Sequence, residues 1–144
     1  MIVDAYAQQL YIPWTMTTQE FWQDTERAIR SDGIVALNIN ATTSDAPLLL
    51  AVSNTIASVF DHVYIVPLTQ DSSWNYLILA SNRAVDLATL SDMDLASPLD
   101  EYADVLQSNV SEIFYKQDEL VLTDDRAPVE LMTEEMIIDF YFDN

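Results

Sequence analysis

Apolar and polar positions along residues 1–82 change period in a fixed order, and the order reads strand, helix, strand, helix, strand, strand. Met1-Ile2-Val3 is a short apolar stub, the end of a strand that runs into the carboxylate of Asp4. A loop with Tyr6, Tyr11, Pro13 and Trp14 follows. Thr17-Thr18-Gln19-Glu20 fits a capping box, with Thr17 as cap and Glu20 reaching back to it. Phe21, Trp22, Thr25, Ala28 and Ile29 then share one helix face, and Gly33 stands where a left-handed residue closes a helix. Ile34 to Asn40 begins as a near-continuous apolar run, which predicts a strand buried on both faces beside a parallel neighbour.

The second helix is expected from Ser44 or Asp45, with Pro47 in its first turn, through Leu48, Val52, Ile56 and Phe60. His62 to Leu68 and Trp74 to Ala80 read as strands joined by the polar turn Thr69 to Ser73. So short a joint forces antiparallel pairing, because a parallel return needs a dozen or more residues. Beyond Asn82 the pattern loosens, with helices expected at Leu87 to Leu90 and at Leu99 to Phe114. Leu120 to Leu122 reads as a short extended piece, and Leu131 to Phe142 fits either a helix or an edge strand. The fold class is therefore α/β: the C-terminal half of a doubly wound, Rossmann-like sheet, mixed, with an antiparallel final hairpin. Residues 1–82 form its partial core, and residues 83–144 form an acidic extension packed on the same domain.

Charge narrows the partners. The net charge of −19 makes nucleic acid a poor ligand, because phosphate contacts need a basic surface, and it disfavours anionic membranes. It suits a cationic ligand such as a polyamine, or a basic protein, although solubility alone also accounts for it. The charge is uneven: Asp92 to Asn144 holds fifteen acids and two bases, Lys116 and Arg126. No apolar run is long enough to span a membrane, and MIVDAYAQQ has no signal-peptide pattern. Zero cysteines exclude disulfides and thiolate metal sites, so a cytoplasmic location is expected. One histidine, His62, supports neither a metal site nor a Ser-His-Asp arrangement, and reads as structural. Gly33 is the only glycine, so no glycine-rich phosphate loop exists in the chain. No cofactor is expected to bind this chain alone.

Several segments resemble the spermidine synthase-like (polyamine aminopropyltransferase) family. They are Ile2-Val3-Asp4-Ala5-Tyr6 with Ile12-Pro13 and Thr17 to Phe21, then Asp32 to Asn38, then Trp74 to Ser81. Leu122-Thr123-Asp124-Asp125-Arg126-Ala127-Pro128-Val129-Glu130 is similar to the branch fused behind a membrane-transporter-like region. The resemblance covers nearly the whole chain but only the C-terminal half of the family's catalytic domain. It implies aminopropyl transfer from decarboxylated S-adenosylmethionine to a polyamine, with S-adenosylmethionine-type cofactors held by the other half. Asp4 matches the carboxylate that takes a proton from the attacking amine, and a loop-capping aspartate is its plain alternative. The family's second acid and following proline are replaced here by Ala7 and Gln8, which removes one polyamine contact that the resemblance implies. Tyr6, Tyr11 and Trp14 fit an aromatic wall for an ammonium group, or ordinary packing. Asp124 and Asp125 would add charge near the same pocket, or form a solvated turn. Asn38 and Asn40, at the end of their strand, are weaker candidates for pocket lining. A non-catalytic, self-associating or polyamine-binding module is the alternative, since a half-sheet leaves a strand edge open to a homodimer or higher oligomer.

Overall fold

A computed structural model describes residues 1–6, 11–68, 75–86, 89, 93–97 and 99–142. Ala7, Gln8, the Thr69 to Ser73 turn, Trp74 and all of the expected Leu87 to Leu90 helix but Thr89 lie outside those residues. The described elements are β1 (Ile2–Val3), α1 (Gln19–Ala28), β2 (Val35–Asn40), α2 (Pro47–Ala57), β3 (His62–Pro67), β4 (Asn75–Ser81), α3 (Leu99–Asn109), β5 (Ser111–Ile113) and α4 (Val129–Phe142), with a 3-10 turn at Trp14–Met16. They build one mixed sheet in the order β1-β2-β4-β3-β5. Only β1 and β2 pair in parallel; β4 runs antiparallel to both β2 and β3, and β5 runs antiparallel to β3. The α/β fold is thus Rossmann-like, of the methyltransferase type, with the hairpin strand β4 inserted between β2 and β3.

Register explains the core. Leu37 pairs with Ile78, which pairs with Ile65, and Val35 and Val63 both pair with Ala80. These side chains share one face with Val3 and Ile39 and pack with Trp22 of α1, Leu48, Leu49, Val52 and Ile56 of α2, and Val129 and Met136 of α4. The opposite face is covered unevenly. Tyr64 and Val66 of β3 and Ala103 of α3 are buried outside that cluster, whereas Ala36, Asn38, Leu77 and Leu79 are half-exposed and Ile2 is 81% exposed. β2 is therefore not buried on both faces; that condition belongs to β3, because α3 covers only its side of the sheet.

Several boundaries differ from the sequence reading. Thr18, not Thr17, caps α1, its hydroxyl accepting from the amide of Phe21. Thr17 is taken up by the preceding turn, where its hydroxyl donates to the Trp14 carbonyl at 2.7 Å. Glu20 does not reach back; it accepts from the Asp124 amide at 3.1 Å. Gly33 does not adopt a left-handed conformation, and α1 ends five residues before it, at Ala28, capped by Ile29. Glycine is needed there for space, since a Cβ would lie 2.9 Å from the Arg30 carbonyl oxygen. α2 begins at Pro47 after Ala46, with no side-chain cap, so neither Ser44 nor Asp45 caps it, and it stops at Ala57, before Phe60. The expected Leu99 to Phe114 helix ends at Asn109, and Ser111–Ile113 pairs with the free edge of β3 instead.

Leu120 to Leu122 is not a strand. It is laced to two helices, since the Leu122 amide donates to Thr55 Oγ1 at 2.9 Å and its carbonyl accepts from Gln19 at 2.8 Å. The Asn54 side chain adds three bonds, donating to the carbonyls of Lys116 and Leu120 and accepting from the Lys116 amide. Buried polar groups of α2 thus tie residues 116–122 to the core by pairing backbone that burial would otherwise penalise. The last segment resolves as a helix, α4, starting at Val129.

Candidate functional site at the carboxyl end of the parallel strands

In an open α/β sheet, ligands bind outside the carboxyl ends of the strands. Asp4 follows β1 there, and Asn38 lies near the same end of β2. The parallel register, Val3 opposite Leu37, brings the two residues together. Asn38 Nδ2 donates to Asp4 Oδ1 at 3.2 Å, and the Tyr6 hydroxyl donates to the Asn38 carbonyl at 3.0 Å. Asp4 is exposed to solvent, while Tyr6 is half-buried. Burial, and secondarily the Asp4 charge, push the Tyr6 phenol up to about 12, so it stays protonated as a donor at neutral pH. Asn38 Oδ1 is buried with no partner among the described residues, leaving one acceptor beside the carboxylate unsatisfied.

The other predicted site residues do not join this cluster through any contact described. Trp14 and Asp124 line a separate cavity of about 300 Å³, with Thr15, Thr18, Glu20, Phe21 and Asp24. It sits at the start of α1 and offers two aromatic rings and three carboxylates to a cationic group. Asp125 is exposed in the Thr123–Arg126 turn and lines neither this cavity nor the Asp4 cluster. Tyr11 is half-buried and is likewise in neither. A larger cavity, about 380 Å³, opens at the carboxyl end of β2 between Thr42, Thr43, Asp45, Ala46 and Pro47 and the α4 residues Met136, Asp139 and Phe140. Sequence reasoning passed over it, because its two walls lie some ninety residues apart and carry no motif.

Asn38 is the residue whose part grows most once the fold is known. Its signal was a polar residue inside an apolar strand, next to a parallel partner ending in Asp4. His62 pairs with Glu112 at 3.3 Å, joining β3 to β5 away from both cavities. No group of residues able to hold a metal ion occurs among the described residues. No described helix is long and apolar enough to cross a membrane.

Gly33, the one glycine, lies at the amino end of β2, where its carbonyl accepts from Ser81 Oγ, opposite the ligand-binding end. The sequence on either side of Asp4, residues 1–32, contains no glycine.

The arrangement defines a Rossmann-like, methyltransferase-type sheet carrying an exposed carboxylate, Asp4, just after the first strand of its parallel pair. No family model matches the chain, and no curated protein matches it. Among solved structures, it is similar to the crystal structure of a probable spermidine synthase from Corynebacterium glutamicum, with a TM-score of 0.54 and 17% identity. The match covers 85% of this chain and 46% of that one, so the chain spans about half the length of that protein. At this identity the likeness describes the fold.

Proposed function

We propose that the chain is a spermidine synthase-like α/β unit whose own chemical role is to bind an amine and take a proton from it. The observation that carries this reading is the Asp4 carboxylate at the end of β1, oriented by the Asn38 amide at the end of β2. An ammonium donor placed there would be neutralised by the exposed Asp4 carboxylate. In the aminopropyl transfer that the family resemblance implies, the amine nitrogen attacks the carbon bonded to sulfur, the carbon–sulfur bond breaks, and the displaced proton passes to Asp4. The sulfonium substrate is not held by these residues, so the isolated chain is inactive. Residues 122–130, similar to the transporter-fused branch, add to this reading by packing beside α1 at the Trp14 and Asp124 cavity.

The test is titration of the chain with putrescine and spermidine, followed by amide NMR, and with S-adenosylmethionine and its decarboxylated form by calorimetry. Amine-dependent shifts at Asp4, Tyr6 and Asn38 are expected to vanish in Asp4→Asn, with no heat from either sulfonium compound. Amine binding that survives Asp4→Asn, or tight sulfonium binding, overturns the reading.

A second reading, a self-associating module, is favoured by one observation. β1 ends the sheet, with Ile2 81% exposed and no strand on its outer side among the described residues. Sedimentation showing a concentration-dependent dimer that Ile2→Lys abolishes would support it, and a monomer at high concentration would remove it.

A further inference from the structure

The apolar residues of α4 fall on two opposite sides of the helix. Val129, Thr133 and Met136 are buried, and Phe140 is half-buried, along the side that meets α2. Leu131, Ile138 and Phe142, at i, i+7 and i+11, form a second stripe pointing the other way, 55%, 53% and 84% exposed. A helix fully packed on one side and watered on the other puts polar residues outside. Here the outside is apolar along its centre and acidic along both flanks. Glu135 and Asp139 border the stripe on one side, and Glu130 and Glu134, beside the exposed Tyr141, border it on the other. The 14-residue helix contains no base, and its acids form no ion pair among the described residues.

We infer that this outer face of α4 is a docking surface for a basic amphipathic helix of another protein, whose apolar residues cover Leu131, Ile138 and Phe142 while Lys or Arg side chains meet the flanking carboxylates. The pattern is the complement of such a helix: an apolar seam with one sign of charge on both sides. A second copy of the chain is a poor occupant of this face, because seam-to-seam packing would set two rows of carboxylates against two identical rows. The surface is separate from the Asp4 cluster and does not depend on the amine-binding reading.

The experiment uses the whole chain and a fluorescein-labelled synthetic 18-residue peptide of Leu and Lys arranged as an amphipathic helix. Two controls accompany it: a peptide of the same composition in scrambled order, and the ordered peptide with Lys replaced by Glu. Anisotropy is expected to report binding of the ordered Lys peptide alone, weakened at least tenfold by Ile138→Ser with Phe142→Ser. Glu134→Gln with Glu135→Gln should weaken it several-fold at low salt and less at high salt, where screening already reduces the charge contribution. Backbone amide shifts should concentrate in residues 131–142. All four residues are on the outside, so the variants keep the melting temperature, which a thermal scan verifies. Equal binding of the scrambled peptide would mean that the overall charge of −19 attracts any polycation, and would overturn the proposal. Absence of binding, or a dimer that Ile138→Ser dissociates, would overturn it as well.

Discussion

Both faces of the sheet carry apolar positions, but the two faces live under different conditions. On one face, Val35, Leu37, Ile39, Ile78 and Ala80 are sealed by α1, α2 and α4. On the other, α3 covers β3, and Ala36, Leu77, Leu79 and Ile2 stay partly or largely in water. Alternation along a strand decides which residues share a face, but a helix must arrive before that face becomes core. The closed face supplies stability. The open one borders the Asn38 and Asp4 contact, where a side chain can still meet a ligand.

The largest break in this comparison should come from Leu37→Ala. It removes a side chain only 1% exposed in the middle of the closed face, and should lower unfolding free energy by about 2–5 kcal/mol in denaturant titration. Ile2→Ala on the open face should change it by no more than about 0.5 kcal/mol. Equal effects would mean that the open face is covered in solution.

Thr55→Val should follow in size. The swap keeps the volume but leaves the buried Leu122 amide without its acceptor, at a cost of about 1–3 kcal/mol. Hydrogen exchange should accelerate at Leu122 more than in β4, because the tie between α2 and residues 120–122 is what is cut.

The smallest effect concerns pH. Tyr6 has a phenol raised by burial from 10.0 to about 12, so the folded state holds its proton more tightly than the unfolded chain does. Its contribution is therefore constant below pH 10, and stability falls as pH rises from there toward about 12. Tyr6→Phe should flatten that alkaline loss, and Asp4→Asn should flatten it partly by removing the second cause of the shift. An unchanged alkaline limb in Tyr6→Phe would show that the phenol is solvated.

Much of the fold was legible along the chain. The order strand, helix, strand, helix, strand, strand survives whole, since each element's own residues encode its period. Pro47 and the 62–81 hairpin are local signals, and they point where the structure puts them. The errors sit where two elements compete for one residue. Thr17 was claimed by the turn before it, so the cap moved to Thr18. Ser111–Ile113 left the helical pattern because the edge of β3 offered it hydrogen bonds.

The candidate site was legible in part. Asp4 could be singled out because a carboxylate closes an apolar stub, and Tyr6 as an aromatic ring for an ammonium, although the fold turns its hydroxyl to the Asn38 carbonyl. That Asn38 holds Asp4 depends on the parallel register, which couples residues 34 positions apart. The separation of Trp14 and Asp124 from Asp4 depends on Glu20 receiving the Asp124 amide beside α1.

Sequence by itself determined the class of the sheet, the antiparallel hairpin, the excess of acid and the lack of a glycine cradle, because each rests on neighbours in the chain or on composition. Only the tertiary structure decided that β4 enters between β2 and β3. A short turn dictates antiparallel pairing, but not which edge of β3 is taken. It likewise decided that α4 keeps one apolar side in the core and offers the other to water. A helix with apolar residues on two opposite sides does not say which side will be covered; the surface of α2 settles that.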